Sequence, residues 1–133
     1  MPAIVLPAEP ASVSRLWDWL EVELAHLDLD ATRRDAIRLC AEEIATNIVT
    51  HAYPDGPAGA QFTVGLDAGP PVALTFEDAG IAFDPTAHQA VPAAGRAEDL
   101  DIGGVGIRLV RGFAQGMAYG RAGGTNRLRL TFS

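Results

Sequence analysis

The sequence predicts an α+β domain, a two-layer α/β sandwich with helices on one face of a mixed, mostly antiparallel sheet. Three observations carry that expectation. Short β-rich runs, each bounded by Pro or Gly clusters, lie near both ends of the chain and in its middle. Three longer segments between those runs repeat apolar residues at helical spacing. The length, 133 residues, suits one domain over 1–133 rather than a tandem.

Ala3 to Pro7 reads as an edge strand, because prolines bracket a β-branched run. Ser12 to Leu27 reads as a helix on the spacing of Leu16, Leu20, Leu24 and Leu27, with Ser12 or Ser14 as the cap. Asp30 caps a longer helix that runs to about Ala52 and is ended by Pro54 and Gly56. Gln61 to Asp67 and Val72 to Glu77 form a hairpin around Ala68-Gly69-Pro70-Pro71. From Asp78 to Asp101 the pattern is irregular and longer than a plain connection, which points to a binding loop or lid. Gly103-Gly104-Val105-Gly106 opens a third helix to about Ala114. Met117 to Arg121 and Thr125 to Phe132 close the chain as a second hairpin around Gly123-Gly124.

Composition narrows the function. Seventeen acidic residues against ten basic ones give a net charge of −7, a field that repels nucleic acid and anionic membranes. All the basic residues are Arg, so Walker A and Schiff-base chemistry, which need Lys, are excluded. No stretch is apolar enough to span a bilayer and the amino end has no signal-peptide core, so cytoplasmic residence is expected. Cys40, the one cysteine, forms no internal disulfide and no cysteine-built zinc site. It reads as a small core residue.

Three segments carry candidate chemistry. On the second helix, at 100° per residue, Ile37, Ala41, Ile44 and Ile48 make the core stripe, and Cys40, Glu43, Asn47 and His51 make a second stripe about a quarter turn away. Glu43 and Asn47 thus project side by side from the border of the core, although such a pair is more often a solvated helix face. The second segment, Glu77-Asp78-Ala79-Gly80-Ile81-Ala82-Phe83-Asp84-Pro85, follows a strand. A carboxylate there can accept from an exocyclic amine while apolar neighbours wall a flat ring, and the plainer alternative is an Asx-turn at each Asp. The third is the glycine cluster at 103–106, where backbone amides at a helix start suit phosphate oxygens.

Together and in this order the segments resemble the boxes of the GHKL ATPase superfamily, the Bergerat fold, and most closely its single-domain branch of bacterial anti-sigma factor serine/threonine protein kinases. Glu43-Ile44-Ala45-Thr46-Asn47-Ile48-Val49-Thr50-His51-Ala52-Tyr53 looks like that branch's E-x-x-x-N-x-x-x-H-A-Y box. Asp78 to Pro85 looks like its D-x-G-x-x-F-D-P box, Gly103 to Val110 like its G-G-x-G-I-x-L-V box, and Gly124-Thr125 with the following strand like its last box. The resemblance runs from about Asp30 to Phe132.

It implies ATP and Mg²⁺ as ligands. Asn47 would hold the metal and Glu43 would be the catalytic base. Asp78 would accept from the adenine amine, with Gly80, Phe83 and Thr125 completing the base pocket. Gly104, Val105 and Gly106 would meet the phosphates, and Thr86 to Ile102 would form a lid. His51 reads as structural. The implied partners are an anti-sigma factor antagonist of STAS type and a sigma factor, with a homodimer compatible and no nucleic acid or membrane. Two departures stand out: Ile102 occupies a position where some of these kinases carry arginine, with Arg96 and Arg108 as candidate replacements, and the lid has no lysine. They sustain an alternative, a nucleotide-gated protein-binding module with little or no phosphotransfer.

Overall fold

The computed structural model describes residues 1–87 and 104–133. In chain order these form β1 (Ala3–Pro7), α1 (Ala11–Leu24), α2 (Ala31–Asn47), β2 (Gln61–Asp67), β3 (Val72–Asp78), a single 3₁₀ turn at Pro85–Ala87, α3 (Gly104–Phe113), β4 (Gly116–Ala122) and β5 (Thr125–Phe132). The helix begun by α2 continues to Ala52, but over Ile48–Ala52 it widens to π geometry. The sheet order is β1-β2-β3-β5-β4. Every neighbouring pair is antiparallel, so the sheet expected to be mixed has no parallel pair among the described residues. Short hairpins make β2–β3 and β4–β5. The second turn needs two left-handed residues, which Gly123 (φ 59°) and Gly124 (φ 78°) supply.

One core lies between the helices and one sheet face. Leu16, Leu20 and Leu24 of α1, Ile37, Ala41 and Ile44 of α2, and Ile107 and Val110 of α3 are buried. They join Leu6, Phe62, Val64, Leu66, Leu74, Phe76, Leu128 and Leu130 in a continuous cluster. Each fully buried Phe or Leu side chain contributes roughly 1.5–3 kcal/mol, so this layer holds the sandwich together. β3, the central strand, is buried from Val72 to Phe76, whereas β5 alternates buried Leu128 and Leu130 with exposed or half-buried arginines.

Two helix starts differ in their chemistry. The Asp30 side chain accepts from the Arg33 amide at 2.8 Å, as a cap should. No side chain caps α1. Ser12 lies inside that helix, is buried, and donates its hydroxyl to the Pro7 carbonyl at 2.6 Å, pinning α1 to β1. At its other end α1 stops at Leu24, because the chain tightens into i→i−3 bonds from His26 to Glu23 and from Leu27 to Leu24. Leu27 still packs on the core from outside the helix. Burial pushes the Cys40 thiol up to about 12, the nearby Glu43 carboxylate adding to the effect, so at neutral pH it is an inert core group.

Candidate functional site

A cleft opens where the carboxyl end of α2 meets the end of β3 and the start of β5. Ile44, Ile48, Phe76, Ile107 and Leu128 wall it with apolar side chains, and Ile81 and Phe83 stand at its mouth. Asn47, His51, Asp78, Tyr119 and Asn126 bring the polar groups. Flat apolar walls with a few polar groups make a slot for a planar ring.

The turn after β3 is seated on the end of α2. The Ile81 amide donates to the Ala52 carbonyl at 2.8 Å. Gly80 is required by this approach, since a Cβ there would come within 2.2 Å of the Ala52 carbonyl oxygen. The resemblance implies Gly80 in a base pocket, and the structure shows it letting one piece of backbone approach another. Tyr53 braces the same junction: its hydroxyl donates to the Gln61 carbonyl at 2.6 Å and accepts from the Ala79 amide at 2.8 Å. Burial raises the phenol's pKa, which keeps the donated proton in place.

Asp78 forms the Asx-turn that was the plainer of its sequence readings. Its Oδ1 accepts from the Gly80 amide at 2.9 Å, which is an Asx-turn, and from Asn126 Nδ2 at 2.9 Å. Its Oδ2 takes no bond from any described residue. Asp84 closes a second Asx-turn, accepting from the Thr86 amide at 2.8 Å, and Arg111 of α3 donates to the carbonyls of Pro85 and Thr86. The stretch after the cleft mouth is thus clamped to α3.

Glu43 and Asn47 sit one turn apart on α2, as the helical spacing requires. Glu43 faces the start of α3, where a Cβ on Gly106 would lie 2.6 Å from its Oε2. Gly106 therefore makes room for the carboxylate, a role its sequence reading as a phosphate contact did not include. Burial, and then the neighbouring Glu42 carboxylate, raise the Glu43 pKa above the ordinary 4.5. Asn47 lines the cleft, and its buried Nδ2 has no hydrogen-bond partner among the described residues. An unsatisfied NH₂ calls for an acceptor such as water or a phosphate oxygen, and only the side chain's Oδ1 suits a cation. No cluster of three His, Cys, Asp or Glu that could hold a metal occurs among the described residues. A single neutral oxygen fits Mg²⁺, which takes most of its ligands from phosphates and water.

The remaining expectations divide. Phe83 reaches the cleft mouth and His51 lines the wall. Gly104 and Val105 begin α3. Thr125 does not line the cleft: it pairs with Ala122 at the hairpin turn, and its successor Asn126 faces inward opposite Asp78. The assignment slips by one residue because strand alternation counts back from the buried Leu130 and Leu128 to Asn126. That alternation was the available signal for Asn126. Ile102, Arg96 and the lid from residue 88 onward lie outside the described residues.

This arrangement matches a known family over nearly the whole chain: the family model of the histidine kinase-like ATPase domain covers residues 6–132. The chain belongs to that family. It is also 38% identical, over 114 residues, to the serine/threonine-protein kinase BtrW of Bordetella bronchiseptica, a match spanning 85% of this chain and 80% of that protein. Among solved structures it resembles the RsbU and RsbW domains of Rv1364c from Mycobacterium tuberculosis, with TM-score 0.64 at 16% identity over 99% of this chain. The histidine kinase domain of the blue-light activated kinase EL346 from Erythrobacter litoralis gives TM-score 0.56 at 19% identity over 96%. At those identities the two structures speak for the fold. The chain spans 32% and 61% of their lengths. Among the described residues, no helix is long and apolar enough to cross a membrane.

Proposed function

We propose that this ATPase-family domain is a protein serine/threonine kinase of the anti-sigma type, binding ATP with Mg²⁺ in the cleft and phosphorylating a serine of an anti-sigma factor antagonist. The observation that carries the reading is the pairing of Glu43 with Asn47 on α2. The carboxylate lies against the first turn of α3, and the unsatisfied amide lines the cleft one turn further on. Mg²⁺, when bound, neutralises phosphate charge. Asn47 offers it an oxygen, Asp78 Oδ2 accepts from the adenine amine, and the apolar walls exclude water from the base. Glu43 takes the proton of the serine hydroxyl as its oxygen bonds to the terminal phosphorus and the bond to ADP breaks. In this reading the protein switches in the cytoplasm between the antagonist and a sigma factor; the relationship to the serine/threonine-protein kinase BtrW supports the kinase activity that such a switch would use.

The direct test is transfer of labelled phosphate from ATP to a serine of candidate antagonists. Transfer that needs Mg²⁺ supports the kinase. Ile102, where some relatives carry arginine, favours the second reading, a nucleotide-gated binding module. Partner binding that depends on nucleotide without any transfer would establish it.

Calorimetry separates the two ligand roles. ATP binding weakens in EDTA, and Asn47→Ala removes that metal dependence; affinity equal in Mg²⁺ and EDTA for the parent protein refutes the metal role. Asp78→Ala costs about 1–3 kcal/mol of ATP binding, because a buried amine loses its acceptor. An unchanged affinity places the base elsewhere.

A further inference from the structure

The polar end of the cleft is built around Asn126, a buried residue on β5 that none of the expected roles includes. All four of its amide hydrogen-bonding positions are used. Nδ2 donates to Asp78 Oδ1 at 2.9 Å and to the Ile81 carbonyl at 2.8 Å. Oδ1 accepts from the Tyr119 hydroxyl and from Arg121 NH1, the latter at 2.8 Å. Arg121 is itself fixed by donating to the Gly80 carbonyl at 3.0 Å. Turning the amide over would set its NH₂ against two donors and its oxygen against two acceptors, so only one orientation is satisfied.

That orientation decides what Asp78 can do. The Asn126 and Gly80 donors both sit on Oδ1, which leaves Oδ2 as the carboxylate oxygen without a donor from any described residue. We propose that Asn126, locked by Tyr119 and Arg121, is the positioning residue that makes Asp78 an obligate acceptor and so selects a 6-amino purine over a 6-oxo purine. A 6-oxo group would place its oxygen against Oδ2, two acceptors without a proton between them, and a buried mismatch of that kind is strongly disfavoured. The inference rests on the reading that the purine lies against Asp78.

The experiment compares affinities for ATP and inosine 5′-triphosphate, both with Mg²⁺, on the full chain. Asn126→Asp replaces the donor with an acceptor at nearly constant volume, and Asn126→Leu removes it. Each is expected to lower the preference for ATP over the inosine nucleotide by tenfold or more, chiefly by weakening ATP. Should either variant fail to fold by circular dichroism, the double variant Tyr119→Phe with Arg121→Ala carries the test. It leaves Asn126 in place but removes the two donors that fix its oxygen, so the amide holds Asp78 less firmly and the preference falls at least threefold. Folded variants that keep the parent's preference overturn the proposal. Asp78→Asn is the separate control: if it binds ATP like the parent, the placement of the base fails, whatever Asn126 does.

Discussion

Glu43→Gln is expected to cripple the proposed phosphotransfer while leaving ATP binding in place. The substitution keeps the side chain's volume and its place against Gly106 but removes the basic oxygen, so the transfer rate falls by about 10² to 10⁴, the usual worth of a general base. ATP affinity stays within a few-fold, because the proposed mechanism puts the base and phosphate contacts on other residues. The pH profile of the parent gives an independent check. As the proposed base Glu43 would work only when ionised, and burial with the Glu42 charge raises its pKa above 4.5. Activity therefore falls, on acidification, at a higher pH than an ordinary carboxylate would impose, and that acid limb is missing from any residual activity of the variant. The same shift fixes the sign of the stability effect. The folded chain binds the Glu43 proton more tightly than the unfolded chain, so the residue's contribution to stability is fully present below 4.5 and is lost as pH rises through the raised value. At neutral pH the neutral Gln avoids that loss, and its thermal midpoint does not drop. A variant that transfers phosphate at the parent rate removes Glu43 from the chemistry.

Gly80→Ala breaks the site by a different route. Its new methyl carbon would stand 2.2 Å from the Ala52 oxygen and 2.7 Å from the Ala52 carbonyl carbon, and neither backbone atom can swing aside as a flexible side chain can. The turn must lift off the end of α2. It then loses the Ile81–Ala52 hydrogen bond and strains the Gly80 contacts to Asp78 and Arg121. Overpacking and one lost backbone bond together destabilise by about 3 kcal/mol, and ATP affinity falls with the geometry of Asp78. Gly112→Ala, a control in the last turn of α3 whose added carbon meets nothing within 4 Å, is neutral or stabilising by less than about 1 kcal/mol. Urea or thermal unfolding of the two variants reads the difference; equal midpoints would show that the turn is not seated on α2.

Much of this was legible in the linear sequence because it is written in local periodicity. The core stripe of Ile37, Ala41, Ile44 and Ile48 is buried as the helical repeat required, and the strand bounds shift by only a residue or so. Glu43 and Asn47 lie one turn apart on α2 and Asp78 ends β3, since spacing along one helix and register at one strand end are local properties. What the sequence could not determine lies in contacts between segments distant along the chain. Gly80 meets Ala52 and Gly106 meets Glu43 only after the sheet and helices have packed, so the reason for each glycine is tertiary. Asn126 displaces Thr125 from the cleft because the pairing of β3 with β5 sets which residue faces Asp78. A motif fixes the types of residue present, whereas register and packing fix which of their atoms meet. In a buried site each polar atom needs a partner, and the four bonds around Asn126 close only in the assembled fold.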